Sequence, residues 1–235
     1  SVMIYEAPIK DMMFLIDELI DMDNITSLPG YEDLDSEALQ FILEEAGKFC
    51  SNELLSINRK GDEYGATFTD GVVNAPPGFK EAYKKYIENG WTSIDADPDH
   101  GGQRLPKRTQ FLVDEMLGAT YQAFKLYSER SHGAYHLLAS CASDNIRKRV
   151  LPKMVQGVWS GTMCLTEPHC GTDLCLLTTK AAVCEDDTYK ISGTKIFITS
   201  GDHDLTDNIL HLVLARIDDA PVGSRGISLF LVPRT

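Results

Sequence analysis

The chain has 235 residues, of which 43% are hydrophobic and 24% are charged, a composition that excludes a largely disordered protein. Its net charge of −13 excludes the strongly basic surface on which nucleic-acid binding depends. The longest apolar runs, residues 209–215 and 227–232, have the length of strands and are too short to span a membrane.

Most of the negative charge lies in residues 1–63, which carry fifteen acidic and four basic side chains. An acidic flank of this kind is usually a solvated surface, and a partner-binding surface is the alternative. Glu6, Lys10 and Asp11 interrupt the apolar region that a signal peptide requires. We therefore expect a cytoplasmic protein.

Helical spacing of apolar residues predicts helices in the first two thirds of the chain. Met12, Ile16 and Ile20, for example, share one face of the first of them. Asp35 is a suitable N-cap for the second, and Gly157 is expected to stop the last. Residues 61–78 and 91–106 are rich in turn residues and are predicted as long loops. The predicted helices span about residues 11–22, 35–55, 76–90, 106–127, 132–141 and 143–155.

Beyond Trp159 the apolar residues alternate along the chain, which is typical of strands. Helices followed by strands indicate an α+β fold with segregated layers. We predict a helical domain with an acidic extension over residues 1–157 and a β domain over residues 158–235. The predicted strands cover residues 160–165, 178–184, 189–192, 195–199, 209–216 and 227–232.

Neither the cysteines nor the histidines show the spacing of a metal site. The six cysteines include no CxxC pair, and the six histidines are scattered along the sequence. Three alternating aspartates at 95, 97 and 99 resemble a calcium loop, but His100 and Pro106 stand at positions that need glycine and glutamate. The sequence therefore predicts no metal site, and it contains no phosphate-binding GxGxxG or P-loop motif.

A loop with cofactor-binding chemistry follows the first predicted strand, at residues 167–173. Pro168 fixes one backbone angle, and Gly171 lets the chain approach a ligand closely. The N–H groups of residues 171–173 can form a nest for a phosphate, with the Thr172 hydroxyl as an additional donor. The alternative is an ordinary loop between two strands.

The loop belongs to a longer pattern, LTEP-x-x-GTD followed by Y-x-I-x-G-x-K-x-FIT-x-G. In both residues and order it is similar to the signature of the acyl-CoA dehydrogenase family of flavoproteins. The segments APIKDMMFLIDEL, GDEYG and GWTSIDADPDHGGQRLP resemble the branch with an extended N-terminus that includes 3-methylmercaptopropionyl-CoA dehydrogenases. The resemblance covers nearly the whole chain. It implies a mostly antiparallel, β-barrel-like middle domain and the family fold without its C-terminal helical bundle.

The resemblance also implies that FAD is the cofactor and assigns residues to it. Thr172 would also face the CoA thioester, and Thr199 would reach the N5 edge of the flavin. Met163 stands where many members carry an aromatic residue, and Phe197 stands where many carry tryptophan. The residues implied to contact FAD are Met163, Leu165, Thr166, Gly171, Thr172, Phe197, Ile198 and Thr199.

The implied reaction is α,β-dehydrogenation of an acyl-CoA thioester, with a hydride passing to flavin N5 and then electrons to an acceptor such as an electron-transfer flavoprotein. Family members use a catalytic glutamate from the C-terminal bundle, and no residue of this chain matches it. We therefore interpret the chain as the first two domains of a homo-oligomeric enzyme, a fragment or truncated product that is inactive alone. The alternatives are an acyl-CoA oxidase or flavin monooxygenase of the same fold, and a non-catalytic interaction protein.

Overall fold

The computed structural model describes residues 3–19, 21–186 and 188–235, so that Ile20 of the predicted first helix lies outside it. Helices precede a five-stranded sheet, which confirms the α+β organisation. The helices are α1 (Ile9–Phe14), α2 (Met22–Thr26), α3 (Ser36–Phe49), α4 (Leu55–Tyr64), α5 (Phe79–Glu88), α6 (Lys107–Cys141) and α7 (Asp144–Val155). The strands are β1 (Thr67–Thr69), β2 (Val72–Asn74), β3 (Trp159–Cys164), β4 (Lys180–Val183), β5 (Tyr189–Ser192), β6 (Asn208–Ile217) and β7 (Ser228–Pro233).

The second predicted helix begins where expected and continues further than expected. The Asp35 carboxylate caps α3 by accepting a hydrogen bond from the Ala38 N–H. A π-helical turn, Cys50–Leu54, carries the chain directly into α4, which ends at Gly65 with a φ of +66°. The predicted loop over residues 61–78 is therefore wrong in part, because it contains the end of α4 and the short β1–β2 hairpin.

A single long helix, α6, replaces the two predicted over residues 106–127 and 132–141. Across the predicted gap the helix continues, and two serine hydroxyls bond to the preceding turn: Ser128 Oγ donates to the Lys125 carbonyl at 2.9 Å and Ser131 Oγ to the Tyr127 carbonyl at 3.2 Å. The irregularity lies earlier, at Tyr121, whose φ and ψ are −159° and 89°. The last helix, α7, ends as predicted near Gly157, which has a φ of +76°.

The sheet is mixed, which corrects the expectation of a mostly antiparallel domain. Strand β6 pairs in parallel with β3 and β4, whereas β7 pairs antiparallel with β6 and β5 antiparallel with β4. Parallel pairing requires a long connection between the two strands, and residues 165–207 provide it between β3 and β6. This connection contains the loop of residues 167–173 and the second half of the motif.

The predicted strand over residues 195–199 is not present, whereas the five other predicted strands are found with shifts of one or two residues at their ends. Phe197 and Ser200 have φ values of +56° and +55°, which interrupt an extended chain. Residues 195–199 are instead an irregular segment beside the loop that follows β3.

Helices α6 and α7 pack directly on the sheet, so that the two layers share a core. Leu138 and Met154 join Leu212 of β6 in one buried cluster. Gly161 of β3 lies so near α6 that an added Cβ would meet the Ala134 Cβ at 2.4 Å. None of the helices described here has both the length and the apolar character that crossing a membrane requires.

Candidate functional site

The two halves of the motif meet in the structure although they are far apart in sequence. The Ile196 N–H donates to the Thr166 carbonyl at 3.0 Å, and Lys195 Nζ donates to the Leu165 carbonyl at 3.0 Å. Gly171 lies against Thr166, because an added Cβ would be 3.7 Å from the Thr166 methyl group. The loop after β3 and the segment 195–199 therefore form one continuous surface.

The buried side chain of Glu167 holds this surface in place through hydrogen bonds. It is only 2% exposed, and its carboxylate accepts hydrogen bonds from the N–H and the hydroxyl of both Thr178 and Thr179. Lys195 Nζ completes the set at 2.9 Å. Burial raises the pKa of Glu167, but these hydrogen bonds outweigh it and hold the pKa well below its ordinary value. This carboxylate is a structural anchor, and it stays ionised.

The loop presents backbone donors beside the anchor. Glu167 and Cys170 exchange backbone hydrogen bonds of 2.8 and 3.1 Å, which closes a tight turn. Among the residues that the structure describes, no protein acceptor bonds the N–H groups of Gly171, Thr172 and Asp173. Thr172 is exposed. Three consecutive free donors are the arrangement that binds a phosphate through the backbone.

The second segment presents an aromatic ring and further donors. Phe197 is 89% exposed and holds a left-handed backbone conformation, which is unfavourable for a bulky residue. Ile198 is half-buried, and its carbonyl accepts the Gly201 N–H at 3.0 Å. Within the described chain, the exposed Thr199 has a hydroxyl and an N–H without a protein partner. A planar ligand on this surface would cover Phe197 and could bond to Thr199.

Met163 lies on the side of β3 that faces α6. It is half-buried and pairs with Leu212 across the sheet. Together with Arg130 and Leu137 it lines a cavity of about 210 Å³. The structure thus connects Leu165, Thr166 and Gly171 with the segment 195–199, whereas the contacts of Met163 are to α6 and β6.

A buried polar layer lies along β3, and it was not predicted. Thr162 Oγ1 is 2.7 Å from His211 Nδ1, and Ser160 Oγ is 3.1 Å from His203 Nε2. Burial lowers the pKa of both histidines, that of His203 to about 4. The alternation of Ser160, Thr162 and Cys164 in the sequence was the available signal, because alternate residues of a strand share one face.

A second grouping that the sequence did not indicate contains Asp95, His132 and His136. The interpretation of the histidines as scattered is wrong for this pair, which the structure brings together with Asp95. The spacing of four residues within a predicted helix was a usable signal, since it places both imidazoles on one helix face. The partner carboxylate could not be identified from spacing.

Comparison with protein families gives two matches that together cover most of the chain. The family model described as "Acyl-CoA dehydrogenase, N-terminal domain" matches residues 36–158. The model described as "Acyl-CoA dehydrogenase, middle domain" matches residues 162–235. The boundary between the two matches falls where α7 gives way to β3.

Two similar relatives carry names of acyl-CoA dehydrogenases. The chain is 41% identical over 232 residues to 3-methylmercaptopropionyl-CoA dehydrogenase of Ruegeria pomeroyi, covering 99% of this chain and 40% of the relative. It is 34% identical over 235 residues to a butyryl-CoA dehydrogenase of Syntrophomonas wolfei, covering 98% of this chain and 38% of the relative. The chain thus spans about two fifths of the length of these relatives.

Solved structures share the fold. Butyryl-CoA dehydrogenase from Megasphaera elsdenii superimposes with a TM-score of 0.71 at 23% identity, covering 86% of this chain and 49% of that one. Acyl-CoA dehydrogenase complexed with FAD from Bacillus anthracis gives a TM-score of 0.67 at 24% identity, covering 86% and 32% of the two chains.

Proposed function

Because the chain belongs to the acyl-CoA dehydrogenase family, we propose that it builds part of the FAD and thioester site of an enzyme that dehydrogenates acyl-CoA. One observation carries the proposal. The hydrogen bond from Ile196 to Thr166 joins the two halves of the motif into a single surface with free donors and an exposed aromatic ring.

The residues on this surface fit a flavin dinucleotide. Backbone N–H groups of residues 171–173 suit the charge of the pyrophosphate, because they have no protein acceptor among the described residues. Phe197 and Ile198 offer apolar contact to a ring, and Thr199 offers a hydrogen bond at its edge. Met163, Leu165 and Thr166 are proposed as further contacts. When bound, FAD supplies the hydride acceptor of the reaction.

The chain's own residues would orient the reactants and not remove the proton. Thr172 is proposed to face the thioester as well as the flavin, since it is an exposed residue among the N–H groups of residues 171–173. Glu167 is unsuitable as a base, because its two oxygens already accept five hydrogen bonds and Lys195 holds it ionised. The base that removes the α-proton remains a prediction from the family resemblance. The resemblance assigns it to a glutamate that no residue of this chain matches.

The substrate and partners follow from the relatives' names as proposals. Both similar relatives are named for acyl-CoA thioesters, which supports an acyl-CoA as the substrate class. We further propose a cytoplasmic homo-oligomer that passes electrons to an electron-transfer flavoprotein. The proposed domains are residues 1–157 and 158–235.

A titration with FAD tests the site. The purified protein is titrated while flavin fluorescence and absorbance are recorded, in wild type and in the variants Phe197→Ala and Thr199→Ala. We expect each variant to raise the Kd for FAD roughly tenfold, which corresponds to about 1.4 kcal/mol of lost binding free energy.

Two matched substitutions serve as controls. Thr194→Ala removes an exposed threonine just before the segment 195–199, and Phe68→Ala removes an exposed phenylalanine from the β1–β2 hairpin. Both should leave the Kd unchanged. Equal affinities for the two threonine variants, or for the two phenylalanine variants, would show that the flavin does not bind on this surface.

A further inference from the structure

Three side chains of types that ligate metal ions meet on the helical layer. Asp95 belongs to the long loop between α5 and α6, and its side chain is only 3% exposed. His132 and His136 lie one turn apart on α6 and are 26% and 29% exposed. They form what we term the Asp–His cluster, which consists of Asp95, His132 and His136.

Both imidazoles direct Nε2 toward the Asp95 carboxylate, so that two nitrogens and two oxygens lie together. His132 Nε2 lies 2.6 Å from Asp95 Oδ1, and His136 Nε2 lies 3.0 Å from Asp95 Oδ2. The two Nε2 atoms are 3.0 Å from each other. Each of the three contacts is therefore as short as a hydrogen bond.

Protons alone cannot satisfy all three contacts. Each Nε2 atom carries either one N–H or one lone pair, and an ionised carboxylate only accepts. If both nitrogens donate to Asp95, two N–H groups face each other at 3.0 Å. If one nitrogen gives up its proton to accept from the other, its lone pair faces a carboxylate oxygen. At least one of the three contacts is repulsive in either arrangement.

A cation removes this conflict, because it accepts a lone pair from every ligand at once. We propose that Asp95, His132 and His136 bind a divalent first-row transition metal ion such as Zn²⁺. Two imidazole nitrogens and one carboxylate are a common donor set for these ions, with metal–ligand distances of about 2.0–2.2 Å. Because the two Nε2 atoms and the two carboxylate oxygens are separated by 2.6–3.0 Å, an ion between the imidazoles and the carboxylate would reach about that distance from its ligands after a small outward movement.

Water can complete the coordination from one side. A polar cavity of about 420 Å³ adjoins the cluster and is lined in part by Asp95, His136 and Tyr135. Three protein ligands with one open position form a familiar zinc geometry. The metal ion would therefore be reachable from solvent and removable by a chelator.

A second group of three potential metal ligands does not contain such a conflict between hydrogen-bonding groups. Glu167, His169 and Cys170 also place ligand atoms close together. The Glu167 carboxylate is, however, saturated by five hydrogen bonds, one of them from the cation of Lys195. Within the described residues the unsatisfied contact distinguishes the Asp–His cluster from this one.

The metal ion would fasten the loop of residues 91–106 to α6. This loop folds back on itself through hydrogen bonds such as Leu105 N–H to the Ile94 carbonyl at 2.8 Å. Asp95 is adjacent to Ile94, so that holding Asp95 holds the whole loop. Because the ion binds only the folded state, it should raise the unfolding temperature.

Cobalt provides the test, because Co²⁺ reports its ligands through visible absorption. The purified protein is stripped with EDTA, desalted and titrated with Co²⁺ and Zn²⁺, and with Mg²⁺, which prefers oxygen ligands. We expect about one Co²⁺ per chain with an absorption band typical of four or five ligands, displaced by Zn²⁺ and unaffected by Mg²⁺. The unfolding temperature should rise with Zn²⁺.

Matched variants locate the site. His132→Gln and Asp95→Asn each remove one ligand and should weaken Co²⁺ binding roughly 100-fold, at the upper end of the loss seen for outer-shell changes. Asp97→Asn makes the same chemical change two residues away, where the carboxylate caps the Asp99 N–H, and should bind normally. Circular dichroism confirms that each variant is folded. The proposal is overturned if the wild-type protein binds no Co²⁺ at micromolar concentration, or if His132→Gln binds it equally well.

Discussion

Two buried carboxylates in this protein, Glu167 and Asp95, differ in how completely their neighbours satisfy them. Burial raises the pKa of each, and hydrogen bonds outweigh it, so both pKa values lie below their ordinary range. Glu167 accepts five hydrogen bonds that do not conflict with one another. Asp95 contacts two imidazoles, and the Nε2 atoms of these imidazoles also lie 3.0 Å from each other. A satisfied carboxylate stabilises the fold, whereas an unsatisfied cluster is suited to hold a ligand.

The strongest test of this comparison removes each carboxylate in turn. Glu167→Ala leaves the Lys195 ammonium buried, with its side chain 11% exposed, and should lower the free energy of unfolding by about 3–5 kcal/mol. Asp95→Ala leaves two imidazoles without their carboxylate partner and should cost about 1–3 kcal/mol in the presence of EDTA. Urea unfolding at neutral pH, followed by circular dichroism, measures both.

An exposed glutamate in the same domain provides the control. Glu185→Gln should change the stability by less than about 0.5 kcal/mol, because its side chain is at the surface. If Asp95→Ala were as costly as Glu167→Ala, the distinction between the anchor and the Asp–His cluster would be wrong.

His203 extends the comparison to a satisfied imidazole. The Leu205 N–H donates to His203 Nδ1 at 3.1 Å, so the proton sits on Nε2 and faces Ser160 Oγ. Protonating Nδ1 would break this bond inside the core. Burial, aided by Arg234 and His211 and opposed by Asp202 and Asp204, lowers the pKa of His203 to about 4.

A lowered histidine pKa makes the stability depend on pH in a definite direction. The unfolded chain takes up the proton near pH 6.5 and the folded chain only near pH 4, so stability contributed by His203 is lost as the pH falls through this window. Wild type should lose roughly 3 kcal/mol more than His203→Gln between pH 7 and pH 4. Unfolding curves at several pH values measure the difference, and parallel pH profiles would contradict the assignment.

Local patterns in the sequence predicted much of the fold because local physics decides those features. The Asp35 cap, the stop near Gly157 and the alternating strands depend on near neighbours in the chain. The gap predicted between residues 127 and 132 is helical, and the Ser128 and Ser131 hydroxyls bond within the helix there. The mixed sheet depends on pairing between distant strands, which alternation does not encode.

The two candidate sites likewise depend on contacts between residues far apart in sequence, which local patterns do not predict. The motif identified the loop after β3 and the segment 195–199 together, but their contact through Ile196 and Thr166 is a tertiary hydrogen bond. The Asp–His cluster joins residues 37 and 41 positions apart, and only the packing of the 91–106 loop on α6 brings them together. The predicted strand over residues 195–199 failed because its alternation does not reveal the left-handed backbone at Phe197.

The test with the smallest expected effect concerns Phe197. This residue has a strained backbone, whereas the Asp–His cluster has a conflict between hydrogen-bonding groups. Its left-handed backbone should cost about 1–2 kcal/mol, and its exposed side chain recovers little of that cost. Phe197→Gly relieves the strain but adds freedom to the unfolded chain, so the protein should gain about 0.5–1 kcal/mol. Phe68→Gly, also at an exposed phenylalanine but within strand β1, should lose stability by a similar amount. Opposite signs in urea unfolding, with weaker FAD binding for Phe197→Gly alone, would show that the strain is kept for the flavin. A loss of stability in Phe197→Gly would show that the ring already serves the fold.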